Sequence, residues 1–290
     1  MFQEVSVQYL PRVQEVLPAS LKKIQESNVS DGKEIFSKVP DIGYQESRPA
    51  TDPAEFAKVL QARRSVRVYD KTPVPEKVMR EVLEWSLLAP NSSNLQCWQF
   101  YWVRNPKIKA DLVKACFSQP AAATAQELVV AGAKPRMWKE NAKQMLKVFA
   151  EQEAAGTRVP KSALAYYKKL APFVYTQGPF SILGHLKKVL YFFRGLTQVT
   201  PREPTSHAEM KLWAVKSSAL GCENFMLGMS AQGFDTCPME GFDSKRAKKA
   251  LGLGCGDHIT MIISAGRRAS NGIYGPRVRF PSSQFIHEVL

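Results

Sequence analysis

Residues 63–67 read Arg63-Arg64-Ser65-Val66-Arg67 and lie where a predicted helix gives way to an extended segment. At such a junction the side chains diverge instead of lining one helical face. Arginine binds phosphate oxygens through two parallel hydrogen bonds, and a neighbouring hydroxyl adds a short donor. The stretch therefore suits the binding of an anion, although a solvated helix C-terminus stabilised by its own positive charges would look the same.

Upstream of this stretch, the helix is predicted to begin at 51–55, because Thr-Asp-Pro-Ala-Glu combines a capping residue, a first-turn proline and an early acid. Residues 1–50 contain short amphipathic stretches, such as 13–24, that are broken by prolines and an Asp-Gly pair. We interpret residues 1–50 as an N-terminal extension and residues 51–290 as the main domain.

Downstream, a turn at 71–75 leads into a predicted helix over 76–88 and then into a polar run at 89–100. The run reads Ala-Pro-Asn-Ser-Ser-Asn-Leu-Gln-Cys-Trp-Gln-Phe. It is either an ordinary polar loop or a set of donors and acceptors for a polar heterocycle or sugar chain, anchored by Trp98. Short strands are predicted at 100–103 and 127–131.

Helical patterns dominate from there to about Gly233, most clearly over 211–231. Residues 236–243, Thr-Cys-Pro-Met-Glu-Gly-Phe-Asp, place a proline and a glycine around a carboxylate and are predicted as a turn. A buried strand is predicted at 259–265. Arg277-Val278-Arg279 then sends two arginines to one side of an extended chain, which fits either a phosphate or an edge strand protected by charge.

The composition narrows the class of protein. A chain of 290 residues that is 44% hydrophobic can bury the core of one large domain. Its apolar runs are shorter than the roughly 18 residues of a membrane-spanning helix, and residues 1–20 lack the apolar centre of a signal peptide, so we expect a cytoplasmic protein. The five cysteines and four histidines are scattered, which predicts neither disulfides nor a metal site.

The formal net charge of +14 indicates an anionic partner, and its distribution is uneven. No Asp or Glu occurs from residue 154 to residue 202. The cations of this acid-free segment are Arg158, Lys161, Lys168, Lys169, Lys187, Lys188, Arg194 and Arg202. No recognition-helix signature or aromatic-rich sheet motif accompanies the charge, so we predict no nucleic-acid partner.

In their shared order and spacing, the stretches at 63–67, 89–98, 237–243 and 277–279 resemble the FMN-dependent nitroreductases, closest to the bacterial oxygen-insensitive group. The resemblance covers about residues 55–135 and 205–290. It implies an α+β fold in which helices flank a mixed β-sheet, assembled as an intertwined homodimer with FMN at the interface. The C-terminal strand, ending in residues 285–290, would join the sheet of the other subunit.

The resemblance also implies which residues bind the cofactor. Those that would contact the FMN phosphate and ribityl chain are Arg63, Arg64, Ser65, Arg277 and Arg279. Arg67 would lie near N1 and O2 of the isoalloxazine, where a cation favours the anionic reduced flavin. FMN itself carries the chemistry in this family, so no side chain is assigned as catalytic.

Two further sets of residues would surround the flavin ring. The set contributed by the partner subunit is Pro90, Asn91, Ser92 and Asn94. The set that forms a turn facing the flavin, with a backbone donor to N5, is Pro238, Met239, Glu240 and Gly241.

The activity implied is transfer of hydride from NAD(P)H to an electron-poor acceptor, such as a nitroaromatic or a quinone, by a ping-pong mechanism. The sequence contains no Gly-x-Gly-x-x-Gly, so the nicotinamide would stack on the flavin instead of binding a Rossmann unit. The basic residues of the acid-free segment favour NADPH. A specialised flavin enzyme, either a reductive dehalogenase or a dehydrogenase, is the nearest alternative, and a basic binding protein without redox chemistry is the more distant one.

The sequence departs from the family in three places. Cys97 replaces a usual proline, residues 117–126 lack the basic residue of close relatives, and residues 135–205 form an enlarged helical insertion. Apolar residues are interleaved with basic residues in the insertion. This composition fits three interpretations: a mobile lid over an aromatic substrate, an interfacial helix at anionic lipid through about 177–200, or helices packed on the dimer. In the family this region covers the substrate pocket. Because the region differs here, the resemblance does not predict which substrate this chain uses.

Overall fold

The computed structural model describes residues 42–290. The amphipathic stretch at 13–24 and nearly all of the predicted N-terminal extension therefore lie outside the described residues. Residues 42–52 form no regular secondary structure and lead directly into the first described helix.

A four-stranded sheet with strand order β1-β2-β4-β3 forms the centre of the structure. The strands are β1 (Trp98–Trp102), β2 (Glu127–Ala133), β3 (Asp235–Met239) and β4 (His258–Gly266). All three ladders are antiparallel. Ser65 and Thr236 form a parallel bridge at the outer edge of β3. The mixed character of the sheet is thus confined, in the part described, to that one bridge.

Helices surround this sheet. They are α1 (Pro53–Ala62), α2 (Glu76–Leu87), α3 (Pro106–Ala115), α4 (Pro120–Ala123), α5 (Trp138–Ala154), α6 (Lys161–Ala165), α7 (Ala171–Tyr175), α8 (Ile182–Arg194), α9 (His207–Ala231) and α10 (Ser244–Ala250). Single turns of 3₁₀ helix lie at Ser92–Asn94, Pro135–Met137, Pro179–Ser181 and Ser282–Gln284, and a π-helical turn covers Tyr166–Leu170. This arrangement confirms the predicted α+β class.

The side chains of β2 show why both faces of the sheet are covered. Successive strand residues point to opposite faces. Leu128 and Val130 belong to a buried cluster with Leu112 of α3, whereas Val129 belongs to a second cluster with Phe225 of α9. A third buried cluster lies beneath residues 135–175. The described chain therefore has one sheet with two packed faces and a separate aromatic core under the insertion.

The predicted α1 cap and the close packing of α9 both have clear local causes. The Asp52 carboxylate accepts hydrogen bonds from the Ala54 and Glu55 amides, at 2.8 and 3.4 Å, as an N-cap residue does. At Gly228 an added Cβ would lie 2.8 Å from a methyl group of Val82, so glycine lets α9 approach α2 closely. The cap fixes the start of α1, and the close approach at Gly228 places α2 against α9.

The prediction of a turn over 236–243 is wrong in its first half. Residues Asp235–Met239 form β3, with Pro238 opposite Ile263 of β4, and the chain turns after them. Proline cannot donate a ladder hydrogen bond, but β3 is an edge strand, where that loss is tolerated. Burial of Asp235 against Arg268, with oxygen–nitrogen distances of 2.9 and 2.7 Å, fixes the start of the strand.

Candidate functional site

The stretch that follows α1 is held against β3 by backbone hydrogen bonds. The Val66 amide donates to the Thr236 carbonyl at 3.0 Å, and the Arg67 amide donates to the Gly272 carbonyl at 2.7 Å. Val66 is completely buried, whereas its neighbours Ser65 and Arg67 are exposed. Alternation along this extended segment thus turns the hydroxyl and the guanidinium outward.

Arg64 and Arg277 tie the C-terminal segment to the end of α1. The Arg64 guanidinium donates to the Gly275 carbonyl at 2.6 Å. The Arg277 guanidinium donates to the Gln61 carbonyl at 2.8 Å and also to the Arg63 carbonyl, which are orphan acceptors at a helix C-terminus. The two arginines therefore join stretches that lie more than 200 residues apart in the sequence.

These contacts form an open pocket of about 190 Å³, which we call the arginine cradle. It is lined by Arg63, Arg64, Ser65, Pro276, Arg277, Val278 and Arg279. Within residues 42–290, no carboxylate forms an ion pair with its four arginines, and the side chains of Arg63 and Ser65 make no hydrogen bond. Desolvation and the charges of Arg279, Arg63 and Arg64 lower the pKa of Arg277. Positive charge concentrated without a counter-charge is the electrostatic pattern of an anion site.

The end of β3 lies next to the cradle. The positive charge of Arg67 acts on the Cys237 thiol, where it opposes the burial that raises the pKa of this group. Beyond Met239 the chain becomes exposed at Glu240 and Gly241, and the Gln119 side chain donates to the Gly241 carbonyl at 3.0 Å. Arg67 and the turn after β3 thus lie at the same edge of the sheet as the cradle.

The polar loop before β1 has an unusual backbone. Ser93, Asn94 and Gln96 all have positive φ, at 58°, 47° and 45°, where non-glycine residues are uncommon. The Asn91 side chain stabilises the loop by accepting from the Gln96 amide at 2.7 Å, and its amide group donates to Asn94 at 3.3 Å. Pro90, Ser92 and Asn94 are exposed. The loop therefore presents polar groups on a fixed, strained backbone.

Within one chain the structure does not bring this loop to the cradle. The loop enters β1, at one edge of the sheet, whereas Ser65 and Glu240 adjoin β3, at the opposite edge. Three strand spacings of about 4.8 Å separate the two edge strands by roughly 14 Å. A site that uses both sets of residues is therefore completed more simply by two chains than by one.

Ser93 has a role that the sequence did not reveal. Its hydroxyl forms hydrogen bonds with the Tyr175 hydroxyl, at 2.8 Å, and with the Tyr166 hydroxyl, and its carbonyl accepts from the Tyr167 hydroxyl at 2.6 Å. The rings of Tyr175 and Trp213 lie 4.7 Å apart. We call Ser93 and these three tyrosines the tyrosine cluster. Its one sequence signal was the position of Ser93 inside the polar run.

A pocket of about 320 Å³ adjoins the polar loop on the side of α5. Its amide side chains are Asn94, Gln96, Gln99, Asn141 and Gln144, and Trp98 and Met145 contribute apolar surface. Asn141 also donates to the Leu95 carbonyl at 2.7 Å, which links α5 to the loop. This pocket can offer donors and acceptors to an uncharged polar ligand. No pattern in the sequence predicted that α5 would take part in this pocket.

The buried thiols are poor nucleophiles. Desolvation raises the pKa of Cys97 to about 12 and that of Cys116 to about 11, so both remain protonated near neutral pH. Cys97 packs before Trp98 at 1% exposure. In the 42–290 range, no group of three or more His, Cys, Asp or Glu side chains could hold a metal ion. Nor is any helix of that range long and apolar enough to cross a membrane.

Comparison with known proteins adds sequence and structural relatives. The nitroreductase family model matches residues 60–267. A protein named NADH dehydrogenase from Thermus thermophilus is 28% identical over 232 residues, which cover 77% of this chain and 91% of that protein. MhqN of Bacillus subtilis, named as a candidate NAD(P)H nitroreductase, is 25% identical over 234 residues, 80% of this chain and 98% of that protein.

A solved structure has the same fold. It is described as a candidate nitroreductase from Exiguobacterium sibiricum in complex with FMN, and it aligns with a TM-score of 0.58 at 22% sequence identity. The alignment covers 84% of this chain and 100% of the other. The family model stops before Arg277, so the C-terminal arm of the cradle lies outside the matched residues.

Proposed function

Since this chain belongs to the nitroreductase family, we propose that it is an FMN-dependent enzyme that transfers hydride from NAD(P)H to an electron-poor acceptor such as a nitroaromatic or a quinone. One observation carries this proposal above the others. The arginine cradle collects four guanidinium groups and a serine hydroxyl in one pocket and leaves them without a carboxylate partner in the described chain. A phosphate monoester matches this set of donors in charge and geometry.

The donors of the cradle divide into two groups. Arg64 and Arg277 donate hydrogen bonds to backbone carbonyls and so hold the walls of the cradle together. Arg63, Ser65 and Arg279 have donors that can bind the FMN phosphate and ribityl chain. This division follows from the hydrogen bonds that the arginine side chains make to backbone carbonyls. It supports the proposal that the cradle binds the phosphate end of the cofactor.

The ring of the cofactor would lie toward the end of β3. FMN, when bound, accepts a hydride from a reduced nicotinamide and gives it to a second substrate. Arg67 would place a positive charge near N1 and O2, which would favour the negative charge of the reduced ring. Residues Pro238, Met239, Glu240 and Gly241 would supply the backbone that faces the ring, including a donor to N5. No side chain is assigned as a proton donor.

We also propose that the site is completed in a homodimer, with Pro90, Asn91, Ser92 and Asn94 supplied by the second chain. The opposite-edge positions of the polar loop and the cradle support this arrangement. So does exposed apolar surface at Leu212 and Leu220 of α9 and at Phe285 and Ile286 near the C-terminus. Light scattering is expected to give twice the chain mass, and deletion of residues 282–290 is expected to weaken that dimer while keeping Arg277 and Arg279.

The substrates are proposed to bind in turn at the same face of the ring, so that NAD(P)⁺ leaves before the acceptor arrives. Initial rates measured at several acceptor concentrations should then give parallel double-reciprocal lines. The acid-free segment supports a preference for NADPH, whose extra phosphate adds negative charge. Similar kcat/KM values for NADPH and NADH would contradict that preference.

An absorbance spectrum of the purified protein between 300 and 600 nm, before and after anaerobic addition of NADPH, tests the function directly. Flavin bands that bleach on addition of NADPH are expected. No flavin after incubation with FMN would reject the proposed activity and favour a basic binding protein without redox chemistry.

A further inference from the structure

Helix α8 presents an apolar face to solvent. Ile182, Leu186, Val189 and Phe193 follow one another at intervals of four, three and four residues, which places them on one face of a helix with 3.6 residues per turn. Their exposed fractions are 56%, 63%, 57% and 63%. Leu183, Leu190 and Phe192 flank this stripe and are also exposed. A continuous exposed apolar surface of this kind marks an interaction site.

The opposite face of α8 fixes the helix in this orientation. Gly184, Lys187 and Tyr191 are its buried residues. An added Cβ at Gly184 would lie 1.9 Å from the Thr205 carbonyl oxygen, so the helix touches the chain behind it at van der Waals distance. The helix cannot roll to hide its apolar face without breaking this contact.

Lys187 reinforces the same contact. Its ammonium group donates to the carbonyls of Phe173, Val174 and Thr176, at 3.1, 2.7 and 2.9 Å, at the C-terminal end of α7. Those carbonyls have no helical partner, so the buried lysine acts as a C-cap for its neighbour. The cation of α8 that points inward is therefore used structurally and does not reach solvent.

The remaining cations of α8 stand at the borders of the apolar face. At 100° per residue, Lys188 and Arg194 fall on opposite sides between the buried and the apolar faces, and both are exposed. No acid occurs anywhere in residues 154–202. A second copy would bring the same positive charges against this face, whereas an anionic surface would complement them.

Phe180 extends the apolar surface at the start of α8. Its ring is 91% exposed, and its φ of 50° is in the left-handed region. The adjoining Ser181 is buried and accepts a hydrogen bond from the His207 amide at 3.0 Å, which anchors the turn to α9. The fold thus holds an aromatic ring outward instead of allowing it to pack inside.

We propose that α8 and Phe180 dock in the plane of an anionic lipid surface, with the apolar stripe at the acyl boundary and Lys188 and Arg194 at the headgroup phosphates. Interfacial helices combine these same features: an apolar face and cations at its borders. The proposal is independent of the flavin chemistry, because no residue of the arginine cradle takes part.

Co-sedimentation of the FMN-loaded full chain with vesicles tests the proposal. Vesicles of phosphatidylcholine with 30% phosphatidylglycerol, on the order of a natural anionic content, should bind at least about tenfold more protein than pure phosphatidylcholine at low salt. Binding should fall when sodium chloride is raised to about 0.5 M, because the headgroup attraction is screened. Equal binding to both vesicles, or none to either, would overturn the proposal.

Two double variants separate the apolar and the charged contributions. Leu186→Ser with Val189→Ser removes apolar contact at constant charge, and Lys188→Gln with Arg194→Gln removes the cations. Each is expected to weaken vesicle binding about tenfold or more with flavin content and melting temperature unchanged. Lys245→Gln with Lys249→Gln, an equal charge loss on exposed positions of α10, is the matched control. A Leu186/Val189 variant that loses its dimer instead would assign this face to a second copy and reject the lipid.

Discussion

The arginine cradle and the tyrosine cluster are built on opposite physical principles. The cradle gathers like charges at the surface and leaves them without a carboxylate in the described chain. The tyrosine cluster joins neutral hydroxyls that satisfy one another and surrounds them with packed rings, as in the T-shaped contact of Tyr166 with Tyr167 at 5.1 Å. Within the described residues, the charges of the first arrangement have no counter-charge, whereas the hydroxyls of the second are hydrogen-bonded to one another.

This difference separates residues that we propose bind a ligand from residues that stabilise the fold. Repulsion among the four arginines of the cradle opposes folding, so an anionic ligand would stabilise the folded state. Closed hydrogen-bond networks instead stabilise the fold itself and position what they touch. Substitution in the cradle should therefore change ligand affinity first, and substitution near the tyrosine cluster should change stability first.

The largest effect is expected for Arg279→Ala. Within residues 42–290, the side-chain hydrogen bond of Arg279 is to the neighbouring Val278 carbonyl, so its guanidinium is not needed to hold the cradle walls. Loss of a charge-assisted hydrogen bond to phosphate costs about 2 kcal/mol, which weakens FMN affinity about 30-fold. Fluorescence titration of the apoprotein with FMN measures this change.

Arg158→Ala is the control for that substitution, since Arg158 is exposed and belongs to the acid-free segment. It removes the same charge from an exposed position outside the cradle and should leave FMN affinity within about twofold, because salt screens exposed charges that do not contact the ligand. Equal losses in both variants would mean that net charge, and not the cradle, binds the phosphate.

The next effect is expected for Lys187→Met, which removes the cap of α7 and keeps most of the apolar stem. Burial lowers the pKa of Lys187, yet its ammonium group donates to three carbonyls. Breaking these bonds should destabilise the insertion by about 2 kcal/mol while FMN affinity stays unchanged. Amide hydrogen exchange in α7 and α8 should become faster in this variant. The control, Lys188→Met at an exposed position, should leave the exchange rates of these helices unchanged.

The arginine cradle and the tyrosine cluster also differ in how much of each could be predicted from the sequence. Strands and helices with strong periodicity, such as 259–265 and 211–231, are confirmed with ends shifted by a few residues. Residues 63–65 and 277–279, two short charged stretches that were each predicted to suit an anion, do meet in one pocket. Their assignment as FMN ligands stays a prediction.

Other features escaped sequence reasoning for physical reasons. Strand β3 was missed because five residues that include an aspartate and a proline lack strand propensity, and tertiary pairing overrides it at an edge. The meeting of Ser93 with tyrosines 73 to 82 residues away could not be predicted, because it is a tertiary contact with side chains of a π-helical turn and of α7. Local patterns do not encode such long-range approaches.

A smaller effect is expected for Tyr175→Phe, which keeps the ring beside Trp213 and deletes the hydroxyl that bonds to Ser93. One neutral hydrogen bond contributes about 1 kcal/mol, so the free energy of unfolding in urea should fall by about that amount. Tyr191→Phe is the matched control, because within the described residues the hydroxyl of Tyr191 makes no hydrogen bond. A tenfold loss of FMN affinity without a loss of stability would contradict the division between the two regions.

The smallest effect concerns pH and the histidine at the start of β4. Burial, followed by the charges of Lys211 and Lys248, lowers the pKa of His258 below its ordinary 6.5. Between these two pKa values the unfolded chain binds more protons than the folded chain, so the contribution of His258 to stability is present above pH 6.5 and is lost as the pH falls below it. Urea unfolding at pH 7, 6 and 5 should therefore show a shallower decline for His258→Asn than for the wild type. His287→Asn, at an exposed C-terminal position, should follow the wild type. If both variants declined alike, burial and the neighbouring lysines would have no measurable effect on the contribution of His258 to stability.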